Sequence, residues 1–201
     1  PKISRECEGL RSTFGGQGTQ HSGHWTHSIM RSEPRTSTPA VGFALSLQDQ
    51  LNHALEELVE QTRTASGGIL AVRRYSEHLD ELLRRIHIEA CDLTPTPHAL
   101  VAIGGYGRRQ MSLCSDVDLL IVFAGPVGAA EERFLKSMLH PLWDLRLDVG
   151  HHIRELSDVT IIDRDNPEYL VALLDARFID GDNDVFSAFS DACLKQGTAW
   201  Q

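Results

Sequence analysis

Two short apolar runs, Ala99 to Ile103 and Leu119 to Phe123, bracket the segment that most restricts this chain. The first run ends in Gly104-Gly105, and the second begins straight after Ser115-Asp116-Val117-Asp118. Each run has the length and composition of a buried strand. The glycines sit where the backbone must turn sharply or approach another group closely. Asp116 and Asp118 stand two apart at a strand start, so they share one face, ~6.5–7 Å apart along the chain. Two like charges on one face of an apolar strand cost free energy unless a partner or a metal meets them. Converging carboxylates suit a hard cation such as Mg²⁺, which takes one or two carboxylates and completes its shell with water and phosphate oxygens. Backbone N–H groups at Gly104-Gly105 can approach a triphosphate. The plain alternative is a turn followed by a solvated strand end.

The string Gly104-Gly105-Tyr106-Gly107-Arg108-Arg109 followed by Ser115-Asp116-Val117-Asp118-Leu119-Leu120 resembles the signature of the polymerase-β-like nucleotidyltransferase superfamily. More narrowly it resembles the bacterial protein-PII uridylyltransferases. So do Leu142-Trp143-Asp144-Leu145, Leu147-Asp148-Val149-Gly150-His151 through Arg154, and Leu173-Leu174-Asp175-Ala176-Arg177 with Gly181-Asp182. The likeness runs from roughly Leu47 to Phe189.

The resemblance implies UTP as donor, a tyrosine of the PII signalling protein as acceptor and two Mg²⁺ ions on Asp116 and Asp118. It also implies a third acid on an adjacent strand. Asp148 is the candidate, as ligand or proton acceptor, with Asp144 on the preceding helix as rival. Gly104, Gly105, Arg108 and Ser115 are the expected nucleotide contacts. Arg109 is an alternative to Arg108, and Ser115 can equally cap the turn. Relatives of this kind also carry a metal-dependent phosphohydrolase domain of the HD type and ACT domains. No His-Asp doublet occurs in these 201 residues, so the transferase portion alone is expected here. An adenylyltransferase and a non-catalytic nucleotide-sensing module are the rival readings.

The expected fold class is α+β (α/β mixed), a small mixed sheet with helices to one side. Residues 1–44 read as a disordered leader, 45–93 as a helical hairpin on the core and 94–201 as the nucleotidyltransferase domain. In the leader, His21, His24 and His27 are spaced three apart in a Gly- and Ser-rich context that opposes a helix. In the hairpin, Leu47, Leu51, Leu55, Leu58 and Val59 form one stripe, capped by Ser46 and closed by Gly67-Gly68. Ile69, Val72, Tyr75, Leu79, Leu82, Leu83 and Ile86 form the other. Arg73–Glu77 and Glu81–Arg85 are expected to pair on the solvated side. Ala130 to Leu145 reads as a helix interrupted near Pro141, and Arg146 to Arg154 as a third strand. There His151 and His152 point to opposite faces, and the inward one either contacts phosphate or packs as a structural histidine.

A net charge of −9 disfavours nucleic acid and anionic membranes as partners. Cys7, Cys91, Cys114 and Cys193 lack any Cys-X-X-Cys spacing. They are read as free thiols in a cytoplasmic protein.

Overall fold

The computed structural model describes residues 41–64, 68–158 and 167–198. Residues 1–40 of the expected 1–44 leader, with its three histidines and Cys7, lie outside these residues, as do Gly67 and the segment 159–166; residues 41–44 open the first helix instead. Two long helices, α1 (Val41–Arg63) and α2 (Gly68–Ala90), come first. They run antiparallel, because Arg85 Nη2 donates to Ser46 Oγ (2.8 Å) while Arg74 Nη1 donates to Glu57 Oε1 (2.9 Å). Ser46 therefore lies within α1 and accepts from its neighbour; it is not a cap. The expected charge pairs within α2 give way to contacts across the hairpin and beyond it. Arg85 also bonds Gln50, His78 joins Arg74 on Glu57, and Glu77 faces Arg109. Long side chains reach a neighbouring element as readily as the next turn of their own helix, and the fold selects the partner.

The apolar stripes behave as periodicity requires. Leu47, Leu51, Ala54 and Leu58 meet a buried α2 face that runs from Ala71 to Ala90. Ile69 is the exception and stays exposed. The buried α2 face also contains Ser76, Asp80 and His87, three polar residues at helical spacing among leucines.

The sheet holds β1 (His98–Ala102), β2 (Val117–Phe123), β3 (Val149–Glu155) and β4 (Arg177–Gly181) in the order β3-β2-β1-β4. It is mixed: β1 is antiparallel to β2 and β4, and β2 is parallel to β3. A parallel neighbour needs a crossover, and α4 (Ala129–Asp144) supplies it. A single turn, α3 (Gly104–Gly107), follows β1. Two further helices, α5 (Pro167–Leu173) and α6 (Asn183–Thr198), flank β4 in sequence.

Helices cover both faces of this sheet, not one side as expected. Ala99, Val101, Leu120 and Val122 pack with Tyr169 of α5 and Phe189 of α6. Alternation sends Leu100, Ile121 and Phe123 to the other face, where α2 and α4 lie. Both strands are apolar at nearly every position because both faces are buried.

The α4 helix runs through Pro141 without interruption. Its end is a Schellman turn: Leu147 N donates to Leu142 O (3.1 Å), with Arg146 in the left-handed region at φ 61°. Arg146 thus ends the helix instead of opening the strand, which starts at Val149. At the other end Glu131 accepts from Gly128 N, Thr94 Oγ1 and Thr96 Oγ1. These donors push its carboxyl down to about 2, the two hydroxyls most. Cys91 and Cys193 are free thiols, but Cys114 is disulfide-bonded. Chain spacing does not say which thiols a fold brings together, so the expectation of four free thiols fails there.

Candidate active site

The two candidate aspartates sit where β2 begins, beside the turn that follows β1. Ile103 N donates to Asp118 O (3.1 Å), which ties the end of the first run to the start of the second. Gly104 then takes φ +58°, a region glycine enters without steric cost. Its helical turn leaves the N–H groups of Gly104 and Gly105 at an end that no side chain caps. A Cβ at Gly105 would meet nothing within 4 Å, so this side of the turn faces open space.

Asp118 reaches into the gap beside the turn. A Cβ at Gly104 would lie 3.4 Å from Asp118 Oδ2, and one at Gly150 would lie 2.5 Å from Asp118 Oδ1. Gly150 is the residue paired with Asp118 across the parallel ladder. Two glycines on two different elements therefore make room for one carboxylate. Asp118 is half-buried, and its pKa is raised, first by burial and then by the charge of Asp116. The two carboxylates repel each other at close range, and a divalent cation reverses the sign of that interaction.

Val117 N donates to Asp148 O (2.8 Å), which starts the β2–β3 ladder. Extending the register by one residue sets Asp148 beside Asp116. Both are exposed, as is Asp144 at the end of α4. No group of three or more histidine, cysteine or acidic side chains is arranged to hold a metal ion among the described residues. The Asp116–Asp118 pair still meets the one or two carboxylates that Mg²⁺ requires.

The other sequence candidates are placed as follows. The Arg108 guanidinium bonds the Asp175 carboxylate and also donates to Gln110 Oε1. Arg109 turns away toward Glu77 of α2 (3.9 Å). Ser115 Oγ accepts from Ser112 N (3.0 Å) and bonds Ser112 Oγ (2.8 Å), so it closes the turn into β2. His151 and His152 do lie on opposite faces. His151 meets Trp143, while His152, on the Asp118 face, packs against Tyr169 at 4.5 Å between ring centroids. His152 is the structural kind.

Burial pushes His152 down to about 4, helped by Arg154 and His151, and burial also lowers His98. The unfolded chain binds these protons first, so native stability that is fully present above pH ~6.5 should fall as pH drops below it. Urea midpoints measured between pH 7.5 and 4.5 check this. His152→Phe is expected to flatten part of the slope.

Sequence reasoning missed Asp80 and Tyr106 as a unit with Arg177. Arg177 donates to Asp80 from both Nη atoms (2.7 and 3.0 Å), and Tyr106 Oη donates to Asp80 Oδ1 (2.7 Å). The polar positions Ser76, Asp80 and His87 inside an apolar helix stripe were the available signal. A shallow concavity lined by Thr94 to His98, Gly181 and Asp182 lies at the far end of β1 and holds none of the candidate residues.

The Gly104/Gly150 arrangement gives a direct test. For the Mg²⁺ site proposed below, Gly150→Ala should displace the Asp118 carboxylate and cut the ion's affinity about tenfold. The melting temperature should change less than in any variant that clashes with backbone, because the crowded atom belongs to a side chain. Isothermal titration with Mg²⁺, beside a thermal melt, checks both.

Residues 49–150 match the family described as "Putative nucleotidyltransferase DUF294". A bifunctional uridylyltransferase/uridylyl-removing enzyme of Photobacterium profundum is 35% identical over 161 residues, covering 76% of this chain and 18% of that protein. Proteins of the same name from Pasteurella multocida and Cereibacter sphaeroides are 34% and 37% identical, over 62% and 65% of this chain and 14% and 15% of their own length. The chain thus spans under a fifth of the length of the curated relatives it matches.

Proposed function

The chain belongs to the nucleotidyltransferase family DUF294, and from that premise we propose that it transfers UMP from UTP to a tyrosine hydroxyl of a PII-type nitrogen-regulatory protein, releasing pyrophosphate. The relatives' names support the uridylyl group, and the sequence resemblance supports the PII acceptor. A cytoplasmic setting goes with a nucleoside triphosphate donor. No described helix is long and apolar enough to cross a membrane.

The observation that carries the reading is the Asp118 carboxylate, cleared by Gly104 and Gly150 and raised in pKa beside Asp116, next to an uncapped glycine turn. When bound, Mg²⁺ (two ions in this reading) supplies charge neutralisation and a more acidic acceptor hydroxyl. Asp116 and Asp118 would hold it, with Asp148 as the third acid. The Gly104 and Gly105 N–H groups take phosphate oxygens, since an uncapped turn start favours anions. Arg108 exchanges Asp175 for phosphate charge as the triphosphate enters. Asp148, exposed beside Asp116, accepts the proton of the acceptor hydroxyl. The hydroxyl oxygen bonds to the α-phosphorus, the bridge to the β-phosphate breaks in line, and pyrophosphate leaves.

Pyrophosphate release, measured with each of the four ribonucleoside triphosphates, Mg²⁺ and a PII-type protein, tests this. Release with UTP alone that disappears in Asp116→Ala/Asp118→Ala is the expected result. Release with ATP instead would replace the uridylyl assignment by an adenylyl one. Magnesium-dependent nucleotide binding without release would leave a sensing module.

A further inference from the structure

The glycine turn cannot hold itself. A four-residue helix is far shorter than the length at which backbone hydrogen bonds alone offset the cost of nucleation. Its carbonyl end, however, is heavily occupied. Gly104 O accepts from Arg108 N, Gly105 O from Gln110 N, and Tyr106 O from Arg109 N. Two further donors come from β4: Arg177 Nε reaches Gly107 O (3.1 Å) and Arg177 Nη2 reaches Tyr106 O (3.3 Å). A guanidinium at this end also suits the negative pole of the turn.

Arg177 is itself fixed. Its fork meets both oxygens of Asp80, whose side chain is only 3% exposed. The remaining capacity of Asp80 Oδ1 takes the Tyr106 hydroxyl, and the buried phenol is held as a donor by a pKa raised well above its usual value. The Arg177 guanidinium also lies 5.4 Å from the Tyr106 ring centroid. The loop is closed: α2 supplies the anion, β4 the cation, and α3 both a side-chain donor and two backbone acceptors. A buried pair of this kind adds little net stability over an apolar substitute, but it does enforce one geometry.

We propose that Arg177, locked by Asp80, is a positioning residue for the nucleotide: it grips the carbonyl end of the glycine turn and so aims the Gly104 and Gly105 N–H groups at the phosphates. The proposal rests on the reading of the site given above. It makes the helical hairpin part of the site's machinery, because Asp80 belongs to α2 and Arg177 to the sheet.

Arg177→Lys keeps the charge and loses the fork, and Tyr106→Phe removes only the hydroxyl. The whole chain is used for both. Amide hydrogen exchange without nucleotide, and UTP titration with Mg²⁺, are the two readouts. For Arg177→Lys, exchange at the Arg108, Arg109 and Gln110 amides should speed up about tenfold or more relative to Leu120 and Val122. UTP affinity should fall by at least about tenfold, while Tyr106→Phe should show the same pattern at smaller amplitude. A loosened turn with unchanged UTP affinity overturns the proposal. So does equal loss of protection in turn and strands, which marks a merely structural pair. If the wild-type chain itself binds no nucleotide, the reading of the site fails first, and the positioning role falls with it.

Discussion

Asp118→Asn is expected to lower transfer about a thousandfold and, at the same time, to raise the melting temperature of the metal-free protein. In the proposed site, losing one of the carboxylates that would hold Mg²⁺ removes several kcal/mol of transition-state charge stabilisation, and about 4 kcal/mol is a factor of a thousand. The gain in stability follows from the sign of the pKa shift. Burial and the Asp116 charge both raise the Asp118 pKa in the folded chain. The native state therefore binds this proton more tightly than the unfolded one. The group's contribution is most favourable in acid and is lost as pH rises through its folded pKa. At neutral pH the ionised carboxylate is a cost that a neutral amide of the same shape removes. A gain of about 1 kcal/mol, or ~2–4 °C for a chain of this size, is the expected scale. Thermal melts with and without Mg²⁺ check it: added Mg²⁺ should stabilise the wild type and leave the variant unmoved. A variant that melts lower without metal, or gains as much from Mg²⁺, would contradict the assignment.

The largest loss of stability is expected at Gly107. A Cβ there would stand 2.0 Å from the backbone oxygen of Asp175, 2.9 Å from its carbonyl carbon and 3.1 Å from Ala102 O. All three are main-chain atoms of packed segments, so none can rotate aside. Gly107→Ala must push the glycine turn off the bend before β4, and that movement also pulls Gly107 O from Arg177. Overpacking against backbone costs about 3 kcal/mol or more, which predicts a melting temperature lower by ~6–12 °C. Gly105→Ala, whose Cβ would meet nothing within 4 Å, is the control and should stay close to wild type. Equal losses at the two positions would mean that the close approach of Gly107 to the Asp175 backbone does not govern this turn.

The sequence by itself determined the end of the sheet that carries the candidate residues. Two apolar runs, a glycine pair and two aspartates at a spacing of two are local patterns. Strand alternation converts that spacing into a shared face whatever the rest of the chain does. The helical stripes were legible for the same reason, since a period of 3.6 needs no partner to be read. Only the tertiary structure decided what meets what. It placed Gly150 opposite Asp118 through a ladder register fixed by a crossover helix. It paired Arg85 with α1 instead of Glu81, and tied Arg108 to Asp175 across 67 residues of chain. It put Asp80 of α2 and Arg177 of β4, 97 residues apart, on either side of one buried turn. Periodicity reports which face a residue occupies. The partner on that face is set by how the elements pack, and nothing within a few residues along the chain encodes it.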